Sequence, residues 1–330
     1  MGAIILDNLS DVESVMLWDA TGPIPEACLA RMEGFPNYGQ AARALAGNML
    51  AAAAGDVALD GIFKDAGRYL VAMWAVYLHV SGGLTLPRLK EICVRSGLVS
   101  PGRARSLLVY LRYLGYVELF PARDREGPAR HIPTGRCMNA WRRHLRAALE
   151  AAQVIEPGVG RLLDQFDAPE IADTFSRLHT ESLFDSATLS EQAEAYFRVF
   201  LHRNAGSQVI WALLTFADDG VFPPVQPLPV TIAGLARRFG VSRAHIRRMF
   251  DEAEREGLLA CQPDGAVQLT AAGRDAIRYA YSTQLIHLLR AAAATIRARP
   301  RLAEARRAVD FPLSGGPTER KLGVTVPIQA

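Results

Sequence analysis

One block of sequence occurs twice in this chain, and a duplicated block constrains the fold more than any other feature. Residues 231–274 read TIAGLARRFGVSRAHIRRMFDEAEREGLLACQPDGAVQLTAAGR. The pattern predicts a short amphipathic helix from Thr231, a turn at Phe239-Gly240-Val241, and a second helix opened by Ser242. That helix carries Arg243, His245, Arg247 and Arg248, ends at Gly257, and leads into a hairpin around Pro263-Asp264-Gly265. A worn copy precedes it. Ser100 matches Ser242 and Gly115 matches Gly257, both at an offset of 142, and Trp74-Ala75 matches Trp211-Ala212 inside two apolar helices. Gly135-Arg136 pairs with Gly273-Arg274 at an offset of 138. The offsets change only where loops absorb them, at the Pro-rich stretch Phe222–Pro229 and at a longer first hairpin, as a duplicated domain requires.

Helix, turn, basic helix and hairpin is the order of a winged helix-turn-helix. The expected fold is mainly α with small β-hairpin wings, two winged helix-turn-helix domains joined by a helical connector. The expected segments are an acidic helical region at 1–64, a first domain at 65–150 and a connector at 151–204. A second domain at 205–298 and a partly disordered tail at 299–330 complete the chain. The run 274–297 reads as a long Ala/Leu-rich helix that packs on its own domain or on another subunit.

Charge distribution says more than the net +3. Residues 1–60 hold eight acids against Arg31 and Arg43, whereas 88–146 hold thirteen Arg/Lys against Glu91, Glu118, Asp124 and Glu126. Residues 231–248 hold five arginines and no acid. Positive charge gathered on both repeats suits a polyphosphate partner. A solvated face explains scattered charges better than two matching blocks. The four cysteines, Cys28, Cys93, Cys137 and Cys261, lie far apart with no CxxC, which suits a reducing cytoplasm and argues against a zinc site or a disulfide framework. The N-terminal run MGAIILDNLSDVESVMLW carries acids where a signal peptide is basic, and the Ala-rich run at 48–54 is too short to span a bilayer. A cytoplasmic protein without membrane association is expected.

In the second repeat Ser242 is the N-cap, and Ile246, Met249, Phe250 and Ala253 form the buried stripe. The wheel then turns Ala244, Arg248 and Asp251 outward, flanked by His245 and Arg247. A major groove admits one helix, so Arg248 is the expected base reader, since a guanidinium bonds guanine O6 and N7 together. Small Ala244 permits close approach. In the first repeat Ser100 is the cap, Pro101 the first helical residue, and Leu107, Leu108, Leu111 and Leu114 the buried stripe. Gly102, Ser106 and Tyr113 face outward there, with Arg103 and Arg105 on the flanks. Arg123, Arg125 and Arg130 around the first hairpin's tip are expected at phosphates or in a minor groove. The second hairpin carries no base and adds little. Different outward residues imply different base preferences for the two domains.

The run VSRAHIRRMFDEAEREGLLACQPDGAVQLTAAGR resembles winged-helix bacterial transcription regulators of the MarR-like type. VSRAHIRRMFDEAEREGLL is similar to their recognition helix, and QLTAAGR to the strand and turn before the next helix. The likeness covers residues 205–295, and 68–150 more weakly. It implies transcriptional control with double-stranded DNA as partner and admits a small-molecule effector. Such regulators are usually single-domain chains that dimerise, so a chain with two units suggests an intramolecular pseudo-dimer as well as a homodimer.

An enzyme is not expected. P-loop, GxSxG and HExxH motifs are missing, Gly158-Val159-Gly160-Arg161 follows no convincing strand, and His79 and His287 read as helix packing. No cofactor or metal is implied. The rival readings are a plasmid or chromosome replication initiator, a chromosome-organising protein, and a protein-interaction module that has lost DNA contact. The concentration of arginine argues against the last.

Overall fold

Helix α3 (Tyr38–Gly55) lies between the two repeats and shows how the chain is assembled. Its sequence YGQAARALAGNMLAAAAG buries Ala41, Ala42, Leu45, Ala46, Met49 and Ala53, a band too wide for one partner. It packs against α8 (Gly135–Gln153) on one side and α12 (Gly206–Phe216) on the other. Alanine allows this close approach because it loses no side-chain rotamers and leaves the helix thin.

The computed structural model describes residues 11–120, 127–184, 191–216, 220–263 and 265–310, with backbone alone at 11–13, 191–192 and 299–310. The chain is mainly helical, 69% of it. Before α3 come α1 (Asp11–Met16) and α2 (Glu26–Glu33), and after it α4 (Val57–Ile62) and α5 (Ala66–Val80). The first repeat holds β1 (Leu84–Thr85), α6 (Leu86–Ser96), α7 (Pro101–Tyr113), β2 (Val117–Leu119) and β3 (Arg130–Pro133), and then runs into α8. Next are α9 (Gly160–Leu163), α10 (Pro169–Phe184), α11 (Glu191–Tyr196), a π-helical turn at Phe197–Leu201, and α12. The second repeat holds α13 (Ile232–Phe239), α14 (Arg243–Arg255), β4 (Leu259–Cys261) and β5 (Val267–Leu269), followed by α15 (Ala271–Asp310).

The repeats share their local chemistry. Ser100 Oγ accepts from Arg103 N at 3.3 Å to open α7, and Ser242 Oγ accepts from His245 N at 3.1 Å to open α14. Gly97 and Gly240 end α6 and α13 with φ of 70° and 62°, a left-handed conformation that glycine adopts without steric cost. In the first repeat the strands run β1-β3-β2, all antiparallel. In the second, β4 pairs with β5, and an isolated bridge from Leu228 to Val267 stands where β1 stands in the first.

The structure corrects the pairing of Gly135-Arg136 with Gly273-Arg274. Thr134 caps α8 through Cys137 N, Thr270 caps α15 through Gly273 N, and each threonine hydroxyl also donates to the carbonyl of the glycine that ends the preceding helix, Gly115 or Gly257. The equivalence therefore runs Thr134 to Thr270, an offset of 136, and the shared Gly-Arg dipeptide is coincidental. Gly273 sits where a Cβ would overlap the Leu258 carbonyl oxygen, while Gly135 faces open space.

The buried side chains form one connected cluster from Val15 to Ala293, which crosses the segment limits at 64, 150 and 204. The N-terminal region joins it through Ser14 Oγ, which donates to Glu156, and through Tyr38, whose hydroxyl accepts from Ser282 Oγ, and α10 lies along α15 and α5. Between residues 281 and 296 helix α15 is mostly buried, packed by α1, α2, α10 and α11 of the same chain. Its backbone runs on to Asp310, past the expected end at 298. The run RLAEARRAVD after Pro300 is rich in strong helix formers. In α7 the stripe is narrower than expected. Ala104, Leu108 and Leu111 are buried at its centre, while Leu107 and Leu114 flank it half-buried.

Candidate nucleic-acid interface

Helix α14 is held from one side only. Its buried stripe is Ile246, Met249, Phe250 and Ala253, the four expected positions. Along the adjoining flank Glu252 pairs with Arg203, Glu256 with Arg198 at 2.7 Å, and His245 Nε2 lies 2.8 Å from the Asn204 carbonyl oxygen. Glu254 accepts from Cys261 N at 3.1 Å. These contacts take up most of the acids in the later turns and lock the helix's rotation. Arg243, Ala244, Arg247 and Arg248 are left exposed. Among the described residues no carboxylate pairs with the three arginines. Arg237 and Arg238 at the end of α13 are exposed as well, so the turn joining the helices is strongly cationic. His245, expected beside Arg248 at the surface, is half-buried and turned toward Asn204.

Helix α7 presents a different face. Gly102, Arg105, Ser106, Val109 and Tyr113 are exposed, and Ser106 Oγ donates back to Gly102 O at 3.2 Å. Arg103 does not stand free. It donates to Asp65 Oδ1 at 2.7 Å, and Asp65, nearly buried, also pairs with Arg68 and caps α5. Arg130 lies within β3 rather than at a tip, and its guanidinium rests on the Gly82-Gly83 turn, bonded to Gly82 O at 3.4 Å. Arg123 and Arg125 lie outside the described residues. Of the candidates in this repeat, Arg105 remains as a free cation on the helix.

The starts of α7 and α14 lie close together. Lys64 Nζ donates to the Phe239 carbonyl at 2.7 Å, at the end of α13, while the next residue, Asp65, holds Arg103. His202, near both Asp65 and Arg103, is two residues from the Asn204 that holds His245. Sequence reasoning missed both bridges, because Lys64, Asp65, His202 and Asn204 belong to no motif and meet the helices only through the fold.

Away from this surface three histidines are buried together. Burial pushes His144 down to about 3, His179 to about 4 and His287 to about 3, with His179 adding repulsion to the other two. His287 Nδ1 lies 2.8 Å from Ser182 Oγ and His179 stacks on Phe175, so both are packing groups. All four cysteines are unpaired, and burial raises Cys93 to about 11 and Cys137 to about 12. Among the described residues no helix is long and apolar enough to cross a membrane.

No protein-family model, curated protein or solved structure matches the chain.

Proposed function

We propose that this chain is a sequence-specific duplex DNA-binding transcription regulator built on two winged helix-turn-helix units with non-identical recognition helices. The observation that carries this reading is the free arginine face of α14. Arg243, Arg247 and Arg248 stand exposed and unpaired on its first two turns, on a helix fixed by Ser242 and the Glu252 and Glu256 pairs. Helices that read bases use these early turns in the major groove. Arg248 reads a guanine, Ala244 permits approach, and Arg243 and Arg247 take phosphates. The shared caps and sheet order support two units of one kind.

The first unit contributes less charge, since Arg103 is committed to Asp65. Arg105 touches phosphate, while Val109 and Tyr113 suit apolar contact with thymine methyls. From Arg103 to Phe239 the path is three side chains and one peptide unit, Arg103–Asp65-Lys64–Phe239. With His202 beside the Arg103–Asp65 pair and Asn204 holding His245, the starts of α7 and α14 are neighbours, and we take both helices to one stretch of duplex.

Selection of bound sequences from random duplex DNA with the purified protein tests this. One contiguous motif, with contributions from both helices and no full-turn spacer, is the expected result. Absence of enrichment overturns the reading.

A further inference from the structure

The turn between α4 and α5 touches both repeats with three successive side chains. Phe63 is buried, its ring 5.3 Å from His144 of α8 and 5.5 Å, edge-on, from Trp211 of α12. Lys64 Nζ donates at 2.7 Å to the carbonyl of Phe239, the last residue of α13. Asp65 accepts from Arg103 of α7 at 2.7 Å. The turn is itself held at both ends, since Asp56 caps α4, Asp65 caps α5, and Arg68 donates to the Gly61 carbonyl at 3.1 Å. A segment fixed in this way transmits position from one repeat to the other.

Lys64 carries the link to the second repeat's helix pair. Its side chain is 14% exposed, and its charge is balanced by Asp60 Oδ2 at 3.2 Å, while Asp60 Oδ1 accepts from Gln208 of α12 at 2.7 Å. An ammonium at the last carbonyls of a helix is favoured by the helix dipole, and a charge-assisted bond is stronger than a neutral one. The carbonyl that Lys64 holds begins the turn of the helix-turn-helix. Gly240 follows with φ of 62°, and Ser242 then caps α14. Lys64 therefore grips the second recognition helix at its entrance, while the neighbouring Asp65 grips the first.

We propose that Lys64 is a positioning residue that fixes the spacing between the bases read by α7 and those read by α14. This rests on the DNA reading above, and adds that the partner is a duplex whose two groups of bases stand at one separation. A base pair inserted between the groups moves one of them about 3.4 Å along the duplex and turns it by about 34°. Helices locked to one turn cannot follow that screw without breaking the Lys64 bond or giving up the contacts of one helix. Lys64 acts through the entrance of α14 and not on the duplex itself.

An insertion scan tests it, with single base pairs added at successive positions of the duplex recovered by selection and competition binding measured for the full chain and for Lys64→Met. Methionine keeps an apolar stem and removes the donor. Insertion near the middle of the motif should weaken the parent's binding at least about tenfold, the cost of breaking one charge-assisted bond. Lys64→Met should lose most of that penalty at the junction between the two groups and keep it inside either group. Each penalty is a ratio within one protein, so a partly unfolded variant does not mimic the effect. Lys64→Arg, which keeps a donor for the Phe239 carbonyl, should keep the parent's pattern. The proposal is overturned, with the DNA reading intact, if the parent binds the inserted duplexes as well as the original or if Lys64→Met relieves the penalty at no position. Failure of the selection to enrich any sequence overturns the DNA reading and this proposal with it.

Discussion

Arg103 donates to Asp65 at 2.7 Å across 38 residues, and this pair ties the start of α7 to the start of α5. Asp65 also accepts from Arg68 N at 3.0 Å as the cap of α5. Asp65→Ala therefore removes a cap and two charge partners, and should lower unfolding free energy by about 2 kcal/mol. Asp65→Asn keeps the capping oxygen and should cost less. Urea unfolding of both variants measures the order, and equal costs would show that the ion pairs matter little.

Three neutral histidines in the core make stability depend on pH. Their folded-state values are pushed below the usual one near 6.5, to about 3 for His144, about 4 for His179 and about 3 for His287. A depressed histidine favours folding fully above the unfolded value and less as pH falls below it. Between about pH 6 and 4 the unfolded chain binds up to three more protons, a slope approaching ~4 kcal/mol per pH unit. Urea midpoints should fall steeply from pH 7 to pH 5, and His287→Asn should reduce the slope. A flat profile contradicts this account of the core.

The corrected repeat alignment makes opposite predictions for two glycines. Gly273→Ala drives a methyl into the Leu258 carbonyl and should destabilise by about 2–3 kcal/mol. Gly135→Ala meets open space at the start of α8 and should be neutral or mildly stabilising. Matched thermal melts decide it. Equal effects would restore the Gly-Arg pairing.

Much of the second repeat is legible in the sequence alone. Ser242 as cap, the four-residue stripe of α14 and the outward Arg248 all follow from local periodicity, and a helix that packs on one side preserves that signal. The first repeat was less legible, because Leu107 and Leu114 look like core residues by type, yet Ala104 takes the central buried place. Long-range partners leave no local trace, so nothing in the sequence around Arg103 points to Asp65. The part played by α3 was hidden for a different reason. A helix buried on two sides by alanine shows no clean period. Threonine caps are also less conspicuous than a shared Gly-Arg, so the equivalence of Thr134 with Thr270 is harder to see in the sequence.

Arg248 and Arg105 should divide the work unequally. Arg248→Ala should lose discrimination at one base pair, costing on the order of 1–3 kcal/mol, because its face is unpaired and α14 cannot rotate. Arg105→Ala should weaken all sequences by a similar small factor. Competition binding against single-base variants of the selected site separates the two. Equal weakening by Arg248→Ala across the panel would remove it as a base reader.

The central claim, charge-led contact between the α14 face and duplex DNA, is tested most directly by the salt dependence of affinity for the selected duplex. Each neutralised phosphate should contribute about −0.9 to the slope of log affinity against log salt. Arg243 and Arg247 together predict a slope of about −2 or steeper, and Arg247→Ala should make it shallower by about one. A flat dependence between low and moderate salt, or a slope that Arg247→Ala leaves unchanged, would contradict the account.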